Sequence, residues 1–208
     1  KPNIVFVRIA PWFKAQSPHP QDTPISYDIA YITAMMDKAK FRIHLIDNYI
    51  QSFTPESLLQ AVLAQKPDLL FVTSEGATIR VACTLLEEIK KTVPQLPTVA
   101  FGRQLMYLPE ILLGPDRVVD ALILDEPELT AIELIERMTG KEDWRNTKGI
   151  AYWGEDNQIK KTEPREMIRD MDSLPFMNHE LFDSPQYRQI SQGVRVFGRV
   201  RWGFLLTS

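Results

Sequence analysis

Between Ile4 and Leu124 the chain alternates five short apolar runs with stretches of helical spacing, and this rhythm constrains its fold more than any other feature. The runs are Ile4–Ile9, Phe41–Ile46, Leu69–Thr73, Thr98–Phe101 and Asp120–Leu124. Ile4-Val-Phe-Val-Arg-Ile9 is almost unbroken, as a strand covered on both faces should be. The stretches between the runs carry helix signals. Ser26 can cap a helix to about Lys40, with Ile29, Ile32, Ala34 and Met36 as its apolar positions. Thr54-Pro-Glu-Ser offers a cap followed by Pro at the first helical position, and Lys66-Pro-Asp ends that helix after Gln65. Further helices are expected from the Ser74–Thr78 turn to about Lys91, over Leu108–Leu113, and from Thr130 to about Met138.

Five strands joined by right-handed helical crossovers make an α/β fold: an open parallel five-stranded sheet with helices on both faces. The spacing suits a flavodoxin-like or Rossmann-like arrangement with strand order 2-1-3-4-5. After Gly140 the pattern changes. Gly149-Ile-Ala-Tyr-Trp153 and Gln158-Ile-Lys-Lys-Thr162 flank Gly-Glu-Asp-Asn and read as a β-hairpin. Ile168–Phe176 then reads as an extended linker. The expected organisation is an α/β domain over 1–140, a hairpin and linker over 141–185, and the start of another domain over 186–208. The closing run Trp202-Gly-Phe-Leu-Leu-Thr-Ser208 is apolar and strand-like, and a strand of that kind needs neighbours. Its partners are expected beyond Ser208.

Composition narrows the function classes. Lys+Arg 24 against Asp+Glu 27 gives a net charge of -3, which argues against nucleic-acid binding through bulk electrostatics. The single cysteine, Cys83, excludes an internal disulfide or a multi-cysteine metal site within these residues, and its apolar helical neighbours predict a core position. No apolar run approaches a membrane span, and no signal peptide is visible, so a cytoplasmic protein is expected.

In an open parallel sheet, ligands sit beyond the carboxyl ends of the strands near the topological switch point. That rule selects Arg8–Trp12, Thr73–Thr78, Phe101–Gln104 and Leu124–Glu128. Gly76 and Gly102 would allow close backbone approach, Ser74 and Thr78 bring hydroxyls, and the helix after Gly76 brings free N–H groups. Each residue alone also reads as an ordinary turn residue, so the argument rests on the cluster. Asp125, Glu126 and Glu128 form an acidic group at a strand end, where Asp125 and Glu128 can serve simply to cap the next helix. His44 reads as a strand residue, His19 as a loop residue and His179 as part of the linker; none has metal-ligand spacing. No nucleophile elbow is visible. The chain offers a pocket without catalytic machinery of its own, which fits a binding module.

The order of motifs carries a resemblance. Ile29-Ala-Tyr-Ile-Thr-Ala-Met-Met is followed by Arg42-Ile-His-Leu-Ile-Asp47, Lys66-Pro-Asp-Leu-Leu-Phe-Val-Thr-Ser74, Val99-Ala-Phe-Gly102, Val119-Asp-Ala-Leu-Ile123, Glu126-Pro-Glu-Leu-Thr130 and Asp170-Met-Asp-Ser-Leu-Pro-Phe176. The succession resembles the N-terminal cobalamin-binding domain of cobalamin-dependent radical S-adenosylmethionine proteins, over essentially the whole chain. The resemblance implies a cobalamin lying across the strand ends. Ala10, Pro11 and Trp12 would approach the corrin; Ser74, Glu75, Gly76, Ala77 and Thr78 would line the nucleotide tail with Phe101, Gly102 and Arg103; Asp125 and Glu126 would close the far side. It also implies that a three-cysteine [4Fe–4S] motif and the S-adenosylmethionine site belong to a radical domain following Ser208, with no catalytic residue or metal ligand in these 208 residues.

The chain departs from the family's pattern at two places. Phe101-Gly102 stands where the family usually has Gly-Gly, and Asp125-Glu-Pro-Glu128 where it usually has Gly-Glu-Gly-Glu, so Phe101 and Pro127 add bulk where backbone approach is expected. The Asp-x-His-x-x-Gly motif of mutases, which supplies a lower axial histidine, is absent after the first strand. Two readings follow: a cobalamin-binding module of an enzyme that methylates or rearranges an unactivated carbon, or a degenerate domain that keeps the fold as a docking or substrate-shaping platform. A signalling receiver is disfavoured, because Arg8-Ile-Ala and Thr73-Ser-Glu stand where such a domain carries its acidic pair and phosphorylated Asp.

Overall fold

A computed structural model describes residues 1–10, 25–74, 78–114, 118–183 and 187. Pro11, Trp12, His19, Glu75, Gly76, Ala77 and the closing stretch from 188 lie outside the described residues. The strands are β1 (Asn3–Ile9), β2 (Arg42–Asp47), β3 (Leu69–Ser74), β4 (Thr98–Phe101), β5 (Ala121–Ile123), β6 (Ile150–Trp153) and β7 (Ile159–Lys161). They form one sheet in the order β2-β1-β3-β4-β5-β6-β7. The first five are parallel and follow the expected 2-1-3-4-5 order. The hairpin is not set apart from them. Its strand β6 pairs antiparallel with β5 through Leu122↔Ala151 and Ile123↔Ile150, so the sheet has seven strands rather than five. Leu122 and Ile123 are buried, and the hairpin supplies the partner their strand would otherwise lack on that side.

The helices are α1 (Tyr27–Met35), α2 (Asn48–Gln51), α3 (Pro55–Ala64), α4 (Ile79–Thr92), α5 (Pro109–Leu112) and α6 (Pro127–Gly140). Helix α1 starts at the expected cap, with Ser26 Oγ accepting from Ile29 N. It stops before Lys40 because Asp37 folds the chain into a turn: its carboxylate accepts from Ala39 N at 2.8 Å and its carbonyl from Lys40 N and Phe41 N. Helix α3 opens with a reciprocal capping box between Thr54 and Ser57. The short α2 went unforeseen; Asp47, the last residue of β2, caps it through Tyr49 N.

Alternation along the strands divides the core into two faces. Val5, Val7, Leu70, Val72 and Ala100 pack with Leu58, Val62, Leu86 and Ile89 of α3 and α4. Ile4, Phe6, Leu69, Phe71, Val99 and Phe101 pack with Ile29, Ile32, Ala131 and Leu134 of α1 and α6. The second face holds an aromatic row: Phe6 stacks on Phe71 at 5.1 Å, and Phe101 meets Phe71 edge-on at 6.0 Å. Cys83 departs from its expected core position; it is half-buried at the rim of the first face, where burial pushes its thiol pKa up. Beyond β7 the linker contains only a 3-10 turn at Met171–Ser173, and a second turn, His179–Phe182, returns Phe182 to the α1 side of the core. Among the described residues, no helix is long and apolar enough to cross a membrane.

The central ring of the aromatic row should dominate that face. Phe71→Ala is expected to cost about 3–5 kcal/mol through lost burial and the cavity left between Phe6 and Phe101. Urea denaturation should show a lower midpoint at unchanged slope.

Candidate functional site

Parallel pairing brings the carboxyl ends of β1, β3, β4 and β5 to one edge in that order. The register Ile9↔Ser74 and Thr73↔Phe101 fixes their relative heights. Ala10, Ser74, Gly102 and Asp125 therefore lie at the carboxyl ends of successive neighbouring strands, with Thr78, Arg103 and Glu126 beyond them. The chain turns from β2 on one side of β1 to β3 on the other, so the switch point lies between β1 and β3. Two grooves among the described residues lie at the opposite, amino edge: one is lined by Pro97, Asp120 and Trp144, the other by Lys38, Phe41 and Leu181.

Each expected residue has a definite place. Ala10 is buried. Ser74 and Thr78 are buried as well, and their hydroxyls meet at 2.5 Å. Thr78 is the N-cap residue of α4, yet its side chain makes no capping bond. Gly102 turns the chain away from β4 at φ +120°, and a Cβ there would lie 2.8 Å from Thr73 Oγ1. Its identity is thus required by backbone and neighbour alike. Phe101 corrects the expectation of a bulky wall: its ring is fully buried in the aromatic row, so only its main chain borders the edge. Pro127 is likewise buried at the first position of α6. Asp125, Glu126 and Arg103 are exposed.

The acidic group differs from the expected cap. Glu126, not Asp125 or Glu128, is the N-cap residue of α6, and its side chain makes no capping bond. Glu128 sits in the first turn with Oε2 buried and without a hydrogen-bond partner. Burial raises its pKa, and the nearby charges of Asp28 and Glu126 raise it further. Asp28, in the first turn of α1, is also raised by burial, a shift opposed by Arg103 and Arg8. Helices α1 and α6 both begin at the carboxyl edge and pack together, which sets these two carboxyls near one another. Sequence reasoning missed Asp28; the signal was its place two residues after the Ser26 cap, on a crossover that starts at this edge.

A second polar group starts from Arg8, inside the expected Arg8–Trp12 stretch, and brings in Asp47, which sequence reasoning missed. Arg8 and Asp47, paired across β1 and β2, form a buried ion pair at 3.4 Å, and the Arg8 guanidinium lies over the Tyr49 ring at 4.3 Å. Tyr187 donates its phenol proton to Asp47 Oδ2 at 2.7 Å. Among the described residues, no group of three or more His, Cys, Asp or Glu side chains could hold a metal ion.

This architecture is similar to that of several solved structures. The chain superposes on the cobalamin-dependent S-adenosylmethionine radical enzyme OxsB, with aqua-cobalamin and S-adenosylmethionine bound, at a TM-score of 0.73 and 14% identity, covering 87% of this chain and 24% of OxsB. It superposes on the radical S-adenosylmethionine methyltransferase TsrM from Kitasatospora setae, with cobalamin and a [4Fe-4S] cluster bound, at 0.62 and 14% identity, covering 83% of this chain and 30% of TsrM. The fold is one that cobalamin-dependent radical enzymes contain. A curated relative, described as the uncharacterized methyltransferase PH0819 of Pyrococcus horikoshii, is 21% identical over 160 residues, which is 77% of this chain and 34% of the relative. No protein-family model matches the chain. The chain thus spans about a third of the curated relative and a quarter to a third of these solved enzymes. At such identities the structural likeness concerns the fold.

Two outcomes test the geometry of the edge. Gly102→Ala should lower stability by about 1–3 kcal/mol. Adding Thr73→Ala, which removes the clashing oxygen, should restore part of that loss but leave the backbone component. Glu128→Gln addresses the raised carboxyl. A folded-state pKa above the unfolded value means the native state holds more protons, so stability falls as pH rises from about 4.3 through the folded value. Glu128→Gln should therefore raise the melting temperature at pH 7 and leave it unchanged near pH 4, as read by thermal denaturation at both values.

Proposed function

We propose that this chain is the cobalamin-binding module of a larger radical S-adenosylmethionine enzyme that transfers a methyl group to, or rearranges, an unactivated carbon. The observation that carries the reading is the coincidence of the switch-point edge with the fold of OxsB and TsrM, whose solved structures hold cobalamin. The residues present fit the group. At the end of β4 the edge exposes main chain without side-chain bulk, because Gly102 has no Cβ and Phe101 turns its ring inward. Beside it the N-terminus of the 14-residue α4 carries no side-chain cap, leaving a positive helix end suited to the phosphate of a nucleotide tail.

Ser74, Thr78 and Gly102 would hold that tail with main-chain and hydroxyl groups, and Arg103, exposed at the same turn, would face its phosphodiester. Ala10, with Pro11 and Trp12, would approach the corrin, and Asp125 and Glu126 would border its far side. Glu75, Gly76 and Ala77 would complete the tail contacts. When bound, cobalamin supplies a cobalt that carries methyl groups or takes part in radical chemistry. The iron–sulfur cluster and S-adenosylmethionine would belong to a partner domain outside these 208 residues. The degenerate-platform reading draws on the bulk of Phe101 and Pro127; the Phe101 ring is buried in the aromatic row, which favours the module reading over it.

Titration of the chain with hydroxocobalamin tests the proposal. Co-migration on gel filtration with a shifted corrin spectrum is expected. Arg103→Glu, on an exposed turn, should weaken uptake roughly tenfold, the worth of one charge-assisted hydrogen bond. Gly76→Trp should abolish it. Absence of uptake by the unaltered chain would overturn the module and leave the platform.

A further inference from the structure

Met177, Leu181, Phe182 and Tyr187 pack on the α1 side of the sheet. At the amino edge Glu180 pairs with Lys38 at 2.7 Å, both side chains largely exposed. Midway, Asn178 N donates to Ala30 O of α1 at 3.0 Å, and Phe182 is buried in the core. At the carboxyl edge the Tyr187 ring meets Phe182 edge-on at 5.3 Å, and its hydroxyl reaches Asp47.

The two ends are held very differently. An exposed ion pair contributes little, because water screens it and two long side chains must be ordered. The Tyr187 hydroxyl instead donates to a carboxylate that is 2% exposed, already bonded by Arg8 and by Tyr49 N. A charged acceptor in such surroundings makes a strong hydrogen bond. Burial and the Asp47 charge raise the phenol pKa well above its ordinary value, so it remains a donor throughout the working pH range.

We propose that residues 177–183 form a strap locked by Tyr187, a positioning residue that ties this stretch to the Arg8–Asp47 pair beside Ala10. Asp47 is the shared point. It orients the Arg8 guanidinium over Tyr49, at the carboxyl end of β1 where the proposed corrin contacts begin, and it holds the Tyr187 phenol. The lock thus fixes Tyr187 at the ligand edge of the sheet, where a second domain would sit to act on a cofactor held there. This last step rests on the proposed function; the lock itself does not.

Hydrogen exchange of the full 208-residue chain without cofactor tests the lock. Tyr187→Phe keeps the ring on Phe182 and removes only the hydroxyl. The amides of Asn178 and Asp183 should then exchange about tenfold faster, while those of β3 keep their protection. Glu180→Gln, at the exposed end, should change them less than about twofold. Equal, small effects of the two substitutions would overturn the lock. Loss of protection throughout β3 in Tyr187→Phe would also overturn it, by making Tyr187 a general core residue. Hydroxocobalamin uptake by the unaltered chain reports separately on the cofactor reading: failure there with a positive exchange result would leave the strap standing and remove only its proposed purpose.

Discussion

Burial of β1 and β3 on both faces is the constraint on which the rest depends. Each is covered by helices on either side, so its backbone groups must find partners within the sheet and its side chains must be apolar in both directions. Parallel pairing satisfies the backbone, and parallel pairing also aligns every carboxyl end at one edge. The candidate edge is therefore a by-product of how the core is built. Helices α1, α4 and α6 all start there, which concentrates unpaired N–H groups and the positive ends of helix dipoles on the same side.

That edge is electrically mixed. Asp28 and Glu128 sit in first turns, where helix dipoles favour carboxylates, yet burial penalises their charge more than the dipoles relieve it. Arg8 and Arg103 supply the compensating cations, one buried against Asp47 and one exposed. Any ligand taken up here meets carboxyls whose charge burial disfavours, beside one exposed guanidinium.

The sequence made the parallel sheet legible because its signals are local. Apolar runs such as Ile4–Ile9 and cap residues such as Ser26 and Thr54 act through neighbours in the chain. The end of α1 was harder to read, because Asp37 terminates it with a side-chain turn that competes with apolar spacing continuing to Met36. The hairpin's docking onto β5 was illegible for a different reason: alternation in Ile150–Trp153 specifies a strand but not its partner. At the candidate site, positions could be read from strand ends, whereas orientations could not. Phe101 looks like an obstacle in the sequence, and only pleat alternation in register with Phe71 sends its ring inward. The Asp47–Tyr187 contact spans 140 residues and leaves no local signature at all.

The added hairpin has a consequence for how this domain behaves among copies of itself. A sheet that ended at β5 would present a short apolar edge able to recruit strands from other chains. Instead the boundary is moved outward to β7, Ile159-Lys-Lys161, where Lys160 is paired with Asp156 and Lys161 is exposed. Two adjacent ammonium groups oppose an incoming edge by repulsion and by their hydration. The outermost strand thus works as a charged hem, which lets a buried, strand-rich core stay in solution without inviting other copies to add strands to it.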